Sequence, residues 1–117
     1  MNKINLEFNN ERDVCVLAFE DDIQIGCVDA RLVLDEIQIN DVVVNEEFRH
    51  QGIASAMFER LLEFAREHSC KKISLEVRAD NEVAQALYRK FGFVQVGLRK
   101  DFYTNPTDDA ILMDAAL

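Results

Sequence analysis

Proline, tryptophan and glycine are scarce here: one Pro, no Trp and four Gly in 117 residues. So little Gly and Pro leaves no flexible linker and no collagen-like or Pro-rich tract. Cysteine is also sparse. Cys15, Cys27 and Cys70 make an odd number with no CxxC spacing, which argues against a disulfide scaffold or a structural zinc site. They read as buried free thiols in a reducing cytosol, with a Cys15–Cys27 pair as the alternative if the two face each other across a hairpin. No apolar run approaches the ~18 residues of a membrane span. Met1 to Asn5 has no signal-peptide pattern, so a cytoplasmic protein without membrane contact is the default. Basic residues are outnumbered, 13 against 22, for a net charge of −9. Direct nucleic-acid binding needs the opposite balance. A chain of this length suits one domain, residues 1–117, burying roughly two-thirds of its unfolded surface.

What is present is a change of period. Asp13 to Phe19, Ile23 to Leu34 and Ile37 to Val44 read as strands separated by the acidic turns Asp21-Asp22 and Asp35-Glu36. Short turns between consecutive strands imply antiparallel neighbours. From Gly52 to His68 the apolar residues Ala54, Met57, Phe58, Leu61, Leu62 and Ala65 follow helical spacing. Ile73, Leu75 and Val77 alternate with Ser74, Glu76 and Arg78, as in a strand with one apolar face. A second helix is expected from Glu82 to Phe91, with Asp80 or Asn81 as N-cap and Gly92 at the left-handed position that ends it. Strands at 93–98 and 110–113 follow, with a loop at 105–109. The order β, β, β, α, β, α, β, β predicts an α/β fold: a mixed sheet with helices packed on it. The strand–helix–strand segments 37–77 and 73–98 would be right-handed crossovers if their strands are parallel.

The segment Asn45 to Ser55 joins a strand to a helix start. Backbone N–H groups at such a start are unpaired and, with the helix dipole, suit a phosphate. Gly52 permits close backbone approach, Ala54 is small, and Arg49 and His50 add positive or polar character. The plainer reading is a helix that begins with glycine in its first turn.

Arg49-His50-Gln51-Gly52-Ile53-Ala54 matches the Q/R-x-x-G-x-G/A signature of the GNAT family of N-acetyltransferases. Three further stretches resemble the ribosomal-protein-alanine branch of that family: Leu75 to Asn81, Ala86-Leu87-Tyr88, and Phe91-Gly92-Phe93. So do Arg99 to Tyr103 with Asp109 to Met113, and Val33 to Glu36. The resemblance covers roughly residues 24–114. It implies a central twisted mixed sheet flanked by helices and a site for acetyl-coenzyme A, with no metal. It also implies an amine acceptor: a protein N-terminus, or else a small amine or a lysine. One departure concerns the strand–helix–helix region that family members carry before the meander. Nothing in residues 1–22 reads as an amphipathic helix, so the fold is expected to be N-terminally shortened on its acceptor side. A non-catalytic or partner-dependent cofactor-binding module is the competing class, and a homodimer is one way to supply the missing wall.

The resemblance also assigns roles. Glu76 is the candidate base and Tyr88 the candidate acid for the departing thiolate. Their plainer readings are an ion-paired strand glutamate, with Arg78 or a lysine as partner, and a packed helical tyrosine. Arg49, His50, Gln51, Gly52, Ile53, Ala54 and Ser55 correspond to the pyrophosphate loop. Asn81 corresponds to a cofactor contact, or is simply the N-cap. Val42, Val43 and Val44 correspond to the strand whose backbone holds the pantetheine and could offer an N–H to the oxyanion. As side chains they are ordinary sheet core. Tyr103 and Phe102 line either the acceptor groove or a sheet edge. His68 reads as a surface residue at a helix end, and Cys70 as packing.

Overall fold

The computed structural model describes residues 2–117. Seven strands form one sheet: β1 (Asn2–Asn9), β2 (Asp13–Glu20), β3 (Ile23–Val33), β4 (Glu36–Val44), β5 (Lys72–Arg78), β6 (Val94–Tyr103) and β7 (Asp108–Ala116). A 3-10 turn at Glu46–Phe48 leads into α1 (Ile53–Glu67), and α2 (Glu82–Lys90) follows β5. The spatial order is β1-β2-β3-β4-β5-β7-β6. Neighbours β1 to β4 are antiparallel, β4 and β5 are parallel, and β5, β7 and β6 are antiparallel in turn. The α/β mixed sheet expected from the sequence is therefore present. The 37–77 segment joins two parallel neighbours. The 73–98 segment joins strands that are also parallel but not neighbours, because β7 is inserted between β5 and β6.

β1 has no counterpart in the sequence reading, although its signal was there. Ile4, Leu6 and Phe8 alternate with polar residues and pack against the core. The structure joins β1 to β2 by the turn Asn10–Arg12, with Arg12 N–H bonded to Asn9 O. No helix lies between them.

Two periods build one core. Val14, Val16, Ala18, Val28, Ile37, Ile73, Leu75 and Met113 face one side of the sheet. Against them α1 buries Met57, Phe58, Leu61, Leu62, Phe64 and Ala65. Phe58, fully buried, touches the rings of Tyr88, Phe91 and Phe93, and so binds α2 to α1. Full burial of one such side chain is worth roughly 1.5–3 kcal/mol. Gly92, at φ 91°, ends α2 as expected, its N–H bonded to Arg89 O.

The sheet is not evenly zipped. The β4–β5 ladder holds only Glu36↔Lys72, Ile37↔Ile73 and Gln38↔Ser74. Lys72 Nζ clamps that end, 3.3 Å from both Glu36 and Asp114 carboxylates. Beyond it β4 carries a bulge: Asp29 faces Asp41 and Ala30 faces Ile39, leaving Asn40 as the extra residue. From there β4 and β5 part, and β4 has no partner on its β5 side.

Candidate active site

Two cavities border the unpaired edge of β4. One, of about 590 Å³, lies on the helix side. It is lined by Val42 and Val44 from β4, by Phe48, Arg49, His50, Gly52, Ile53, Ala54 and Ser55, and by Asn81, Val83, Ala84, Leu87 and Tyr88 around α2. The other, of about 600 Å³, is lined by Gln38, Ile39, Asn40, Ser74, Leu75, Glu76, Arg99, Phe102, Tyr103 and Leu112.

The helix-side cavity has the chemistry of an anion site. Gly52 caps α1 at φ 78°, in the left-handed region, and no side chain bonds to the cap. His50 is also left-handed, at φ 62°. The first N–H groups of a helix have no intrahelical partner. No acidic residue occupies the first turn of α1. Arg49 is held in place by its Nε, which donates to Val44 O at 3.2 Å. Gln51 does not line the cavity, and its side chain donates to Glu47 O.

Alternation along β4 decides which of its amides face this space. Asn45 N–H bonds to Ile25 O on the β3 side. In an antiparallel pair the bonding direction alternates, so Val43 also points to β3 while Val42 and Val44 point to the gap. Val43 lies outside both cavity linings, and its side chain is 47% exposed on the opposite face. The Val42 N–H donates to its neighbour's carboxylate, Asp41 Oδ1, at 2.9 Å.

Asn81 caps α2: its Oδ1 accepts from Ala84 N–H at 3.1 Å, and it also lines the cavity. Both readings of that residue are thus compatible in one place. Tyr88 is 8% exposed. Burial first, then the charge of Asp41 and the presence of Tyr103, push its phenol up to about 12. It is a protonated group at neutral pH.

Glu76 lies on the polar face of β5 and lines the other cavity. Its ion-pair partner is Arg99 on β6, at 3.7 Å, not Arg78. Arg78 instead donates to Thr104 O and Pro106 O and lies over the Tyr103 ring. Glu76 and Tyr88 thus sit in different cavities, on either side of the parted strands. Tyr103 stands between them electrostatically. Its phenol is raised by burial first and then by Glu76, and it in turn contributes to raising Tyr88. Phe102 and Tyr103 both line the Glu76 cavity. Sequence reasoning missed Gln38, Asn40, Ser74, Arg99 and Leu112 there. Asn40-Asp41, which interrupts the apolar alternation of β4, was the available signal.

The remaining candidates are structural. His68 is the C-cap of α1, its ring stacked on Phe64 and Nδ1 3.0 Å from Phe64 O. Cys15, Cys27 and Cys70 are free as expected, but only Cys70 is buried; Cys15 and Cys27, on the half-covered strands β2 and β3, are half-buried. Cys15 faces Asp29, and Cys27 faces Leu17, so the two are diagonal rather than opposite. Burial is the first cause that pushes all three thiols up. Among the described residues no group of three or more His, Cys, Asp or Glu could hold a metal ion, and no helix is long and apolar enough to cross a membrane.

The parallel pair β4–β5 thus opens beside the start of α1, where no side chain bonds to the cap. The chain belongs to the acetyltransferase (GNAT) family, whose sequence profile matches residues 2–93. It is 34% identical over 85 residues to the [ribosomal protein bS18]-alanine N-acetyltransferase of Escherichia coli, covering 71% of this chain and 57% of that protein. It is 38% identical over 78 residues to the N-alpha-acetyltransferase RimI of Mycobacterium tuberculosis, covering 67% and 48%. The chain thus spans about half the length of these curated relatives. Its fold is similar to the crystal structure of the Escherichia coli ribosomal-protein-S18-alanine enzyme, with TM-score 0.93, 23% identity and 99% and 94% of the two chains covered. It is also similar to a GNAT family acetyltransferase from Elizabethkingia anophelis with acetyl-CoA bound, with TM-score 0.86, 19% identity and 99% and 98% covered.

Proposed function

We propose that this chain transfers the acetyl group of acetyl-coenzyme A to the α-amine of a protein N-terminus beginning with a small residue such as alanine. The observation that carries the reading is the opening between β4 and β5, flanked by an anion site at Gly52 on one side and the Glu76 carboxylate on the other. The relatives named for alanine N-acetylation support the choice of acceptor.

The helix-side cavity would hold acetyl-coenzyme A. The first amides of α1, with Arg49 beside them, would take the pyrophosphate, and Asn81 would contact the cofactor. The backbone of β4 at Val42 and Val44 would take the pantetheine arm. The acceptor amine would enter from the Glu76 cavity. A peptide α-amine, at a reference pKa of ~7.7–8.0, loses its proton far more readily than lysine at ~10.4. The ammonium proton would leave to solvent first; Glu76, directly or through one water, would then accept one proton of the neutral amine as its nitrogen attacks the thioester carbonyl carbon. A C–N bond forms, the C–S bond breaks, and the electron pair leaves on sulfur. Tyr88, protonated at neutral pH, would give its proton to that thiolate. A β4 amide would bind the oxygen of the tetrahedral intermediate.

The test is an acceptor panel with purified protein and acetyl-coenzyme A: Ala- and Ser-initiated peptides, internal-lysine peptides and polyamines. Preference for the Ala-initiated peptide supports the reading. Faster transfer to lysine or polyamine would move the acceptor class. Saturable cofactor binding with no transfer to any amine would make the chain a cofactor-binding module.

A further inference from the structure

Arg78 is the last residue of β5 and lines neither cavity. Its side chain reaches across to the β6–β7 turn. Nη1 donates to Pro106 O at 3.0 Å and Nη2 to Thr104 O at 3.1 Å. The guanidinium carbon lies 4.5 Å from the centroid of the Tyr103 ring. Its backbone faces the other way. The Arg78 carbonyl accepts from Asn81 N–H and from the side chain of Gln85, both at 3.0 Å. Gln85 is buried, and it also bonds to Ala79 O.

The turn that Arg78 grips is also held by aspartate side chains. β6 and β7 lose register between Arg99 and Tyr103. Asp101 there is left-handed, at φ 53°, and its N–H bonds to a side chain, Asp109 Oδ1. Asp108 Oδ2 accepts from Asp80 N–H, a second tie between this turn and the end of β5. The end of β6 that leads into the turn carries Phe102 and Tyr103, two walls of the Glu76 cavity. A planar fork that makes two bonds and one stack holds an orientation that a flexible ammonium does not.

We infer that Arg78 is a positioning residue for the acceptor: it fixes the β6–β7 turn and the Tyr103 ring so that the Glu76 cavity keeps the shape an incoming peptide amine needs. This rests on the acetyl-transfer reading above. Arg78 touches no reacting atom. Its removal loosens the acceptor wall and leaves the Gly52 anion site alone.

The experiment uses the full chain with Arg78→Met, Arg78→Lys, Tyr103→Leu and the double variant Arg78→Met/Tyr103→Leu. The readouts are acceptor-peptide KM and kcat, acetyl-coenzyme A Kd, and amide hydrogen exchange over residues 101–109. Expected for Arg78→Met is an acceptor KM at least tenfold higher, with kcat within threefold, Kd within twofold, and faster exchange over 101–109. Arg78→Lys should recover less than half of the KM effect in logarithmic terms. The double variant should be little worse than Tyr103→Leu, since both act through one ring. An unchanged acceptor KM, a fall in kcat at constant KM, or additive effects in the double variant would each overturn the inference. If Arg78→Met does not fold, Arg78→Lys and Tyr103→Leu carry the same comparison. If the wild type acetylates no amine, the acetyl-transfer reading fails. Hydrogen exchange then decides about Arg78, and unchanged exchange over 101–109 overturns its part as well.

Discussion

Gln38 and Ser74 are the last residues of β4 and β5 to face each other. Past them the sheet divides, with Lys72 holding the closed end and the Asn40 bulge turning β4 aside. Both cavities exist because of this parting. A fully zipped ladder would use the Val42 and Val44 amides on β5 and leave none for a ligand.

Gly52 offers a clean test of the anion site. Its φ of 78° disfavours most side chains, and a Cβ there would meet no atom within 4 Å. Asn tolerates left-handed backbone and is nearly isosteric with Asp. Gly52→Asn is expected to stay within about fivefold of wild-type affinity for acetyl-coenzyme A, and Gly52→Asp to lose at least tenfold relative to it. Calorimetric titration of the pair reads the charge alone. Equal affinities would place the phosphates elsewhere.

Glu76 and Tyr88 should separate chemistry from binding. Glu76→Gln and Tyr88→Phe are each expected to lower kcat at least tenfold, within the range of general acid–base assistance. Cofactor Kd should change less than twofold. Wild-type rates in both variants would remove the two assignments.

Tyr88 also makes an alkaline prediction. Its phenol is raised from 10 to about 12 in the folded chain. The folded state therefore binds that proton more tightly than the unfolded one. This contribution to stability is fully present below about pH 10 and is lost as pH rises through about 12. It amounts to about 1.4 kcal/mol lost by pH 11, one pKa unit's worth. Urea unfolding at pH 8 and pH 11 should show wild type losing about that much more than Tyr88→Phe. Equal losses would contradict the burial of the phenol.

Asp41 competes for a donor. Its carboxylate holds the Val42 N–H at 2.9 Å, one of the amides that points into the gap. Asp41→Ala is expected to tighten acetyl-coenzyme A binding two- to fivefold by freeing that amide. Weaker binding in this variant would mean that Asp41 supports the cofactor strand rather than occupying it.

Phe58 tests the packing that sets Tyr88. Being fully buried against three aromatic rings, Phe58→Ala is expected to cost about 3–5 kcal/mol in chemical denaturation. A loss below 1 kcal/mol would mean that α2 is not held through this ring.

The helices and the turn at 49–55 were legible because their signals are local: helical spacing in α1, and a glycine placed where the left-handed cap requires one. The Gly92 stop was legible for the same reason. The Glu76 cavity was not, because its walls meet only through the strand order β5-β7-β6. That order brings Arg99 to Glu76 and sends Arg78 to the 104–106 carbonyls, although Glu76 and Arg78 are two residues apart on one face of β5. The ends of β6 and β7 were read too short. Asp101, Asp108 and Asp109 look like loop residues, yet the Asp109 carboxylate closes the hairpin by accepting Asp101 N–H, and the Asp108 carboxylate ties it to the end of β5 by accepting Asp80 N–H. Val43 was read with Val42 and Val44, but strand alternation turns it to the other face.

The most direct test of the central claim is a thermal-shift titration of the full chain with acetyl-coenzyme A, beside 3′-dephospho-coenzyme A and adenosine. At 100 times Kd a ligand adds ~2.7 kcal/mol, a rise on the order of 10 °C for a domain of this size. The expected result is a saturable rise with both pyrophosphate-bearing ligands, none with adenosine, and a smaller rise in Gly52→Asp. No rise with millimolar acetyl-coenzyme A would contradict the assignment of the β4–β5 opening as an acetyl-coenzyme A site.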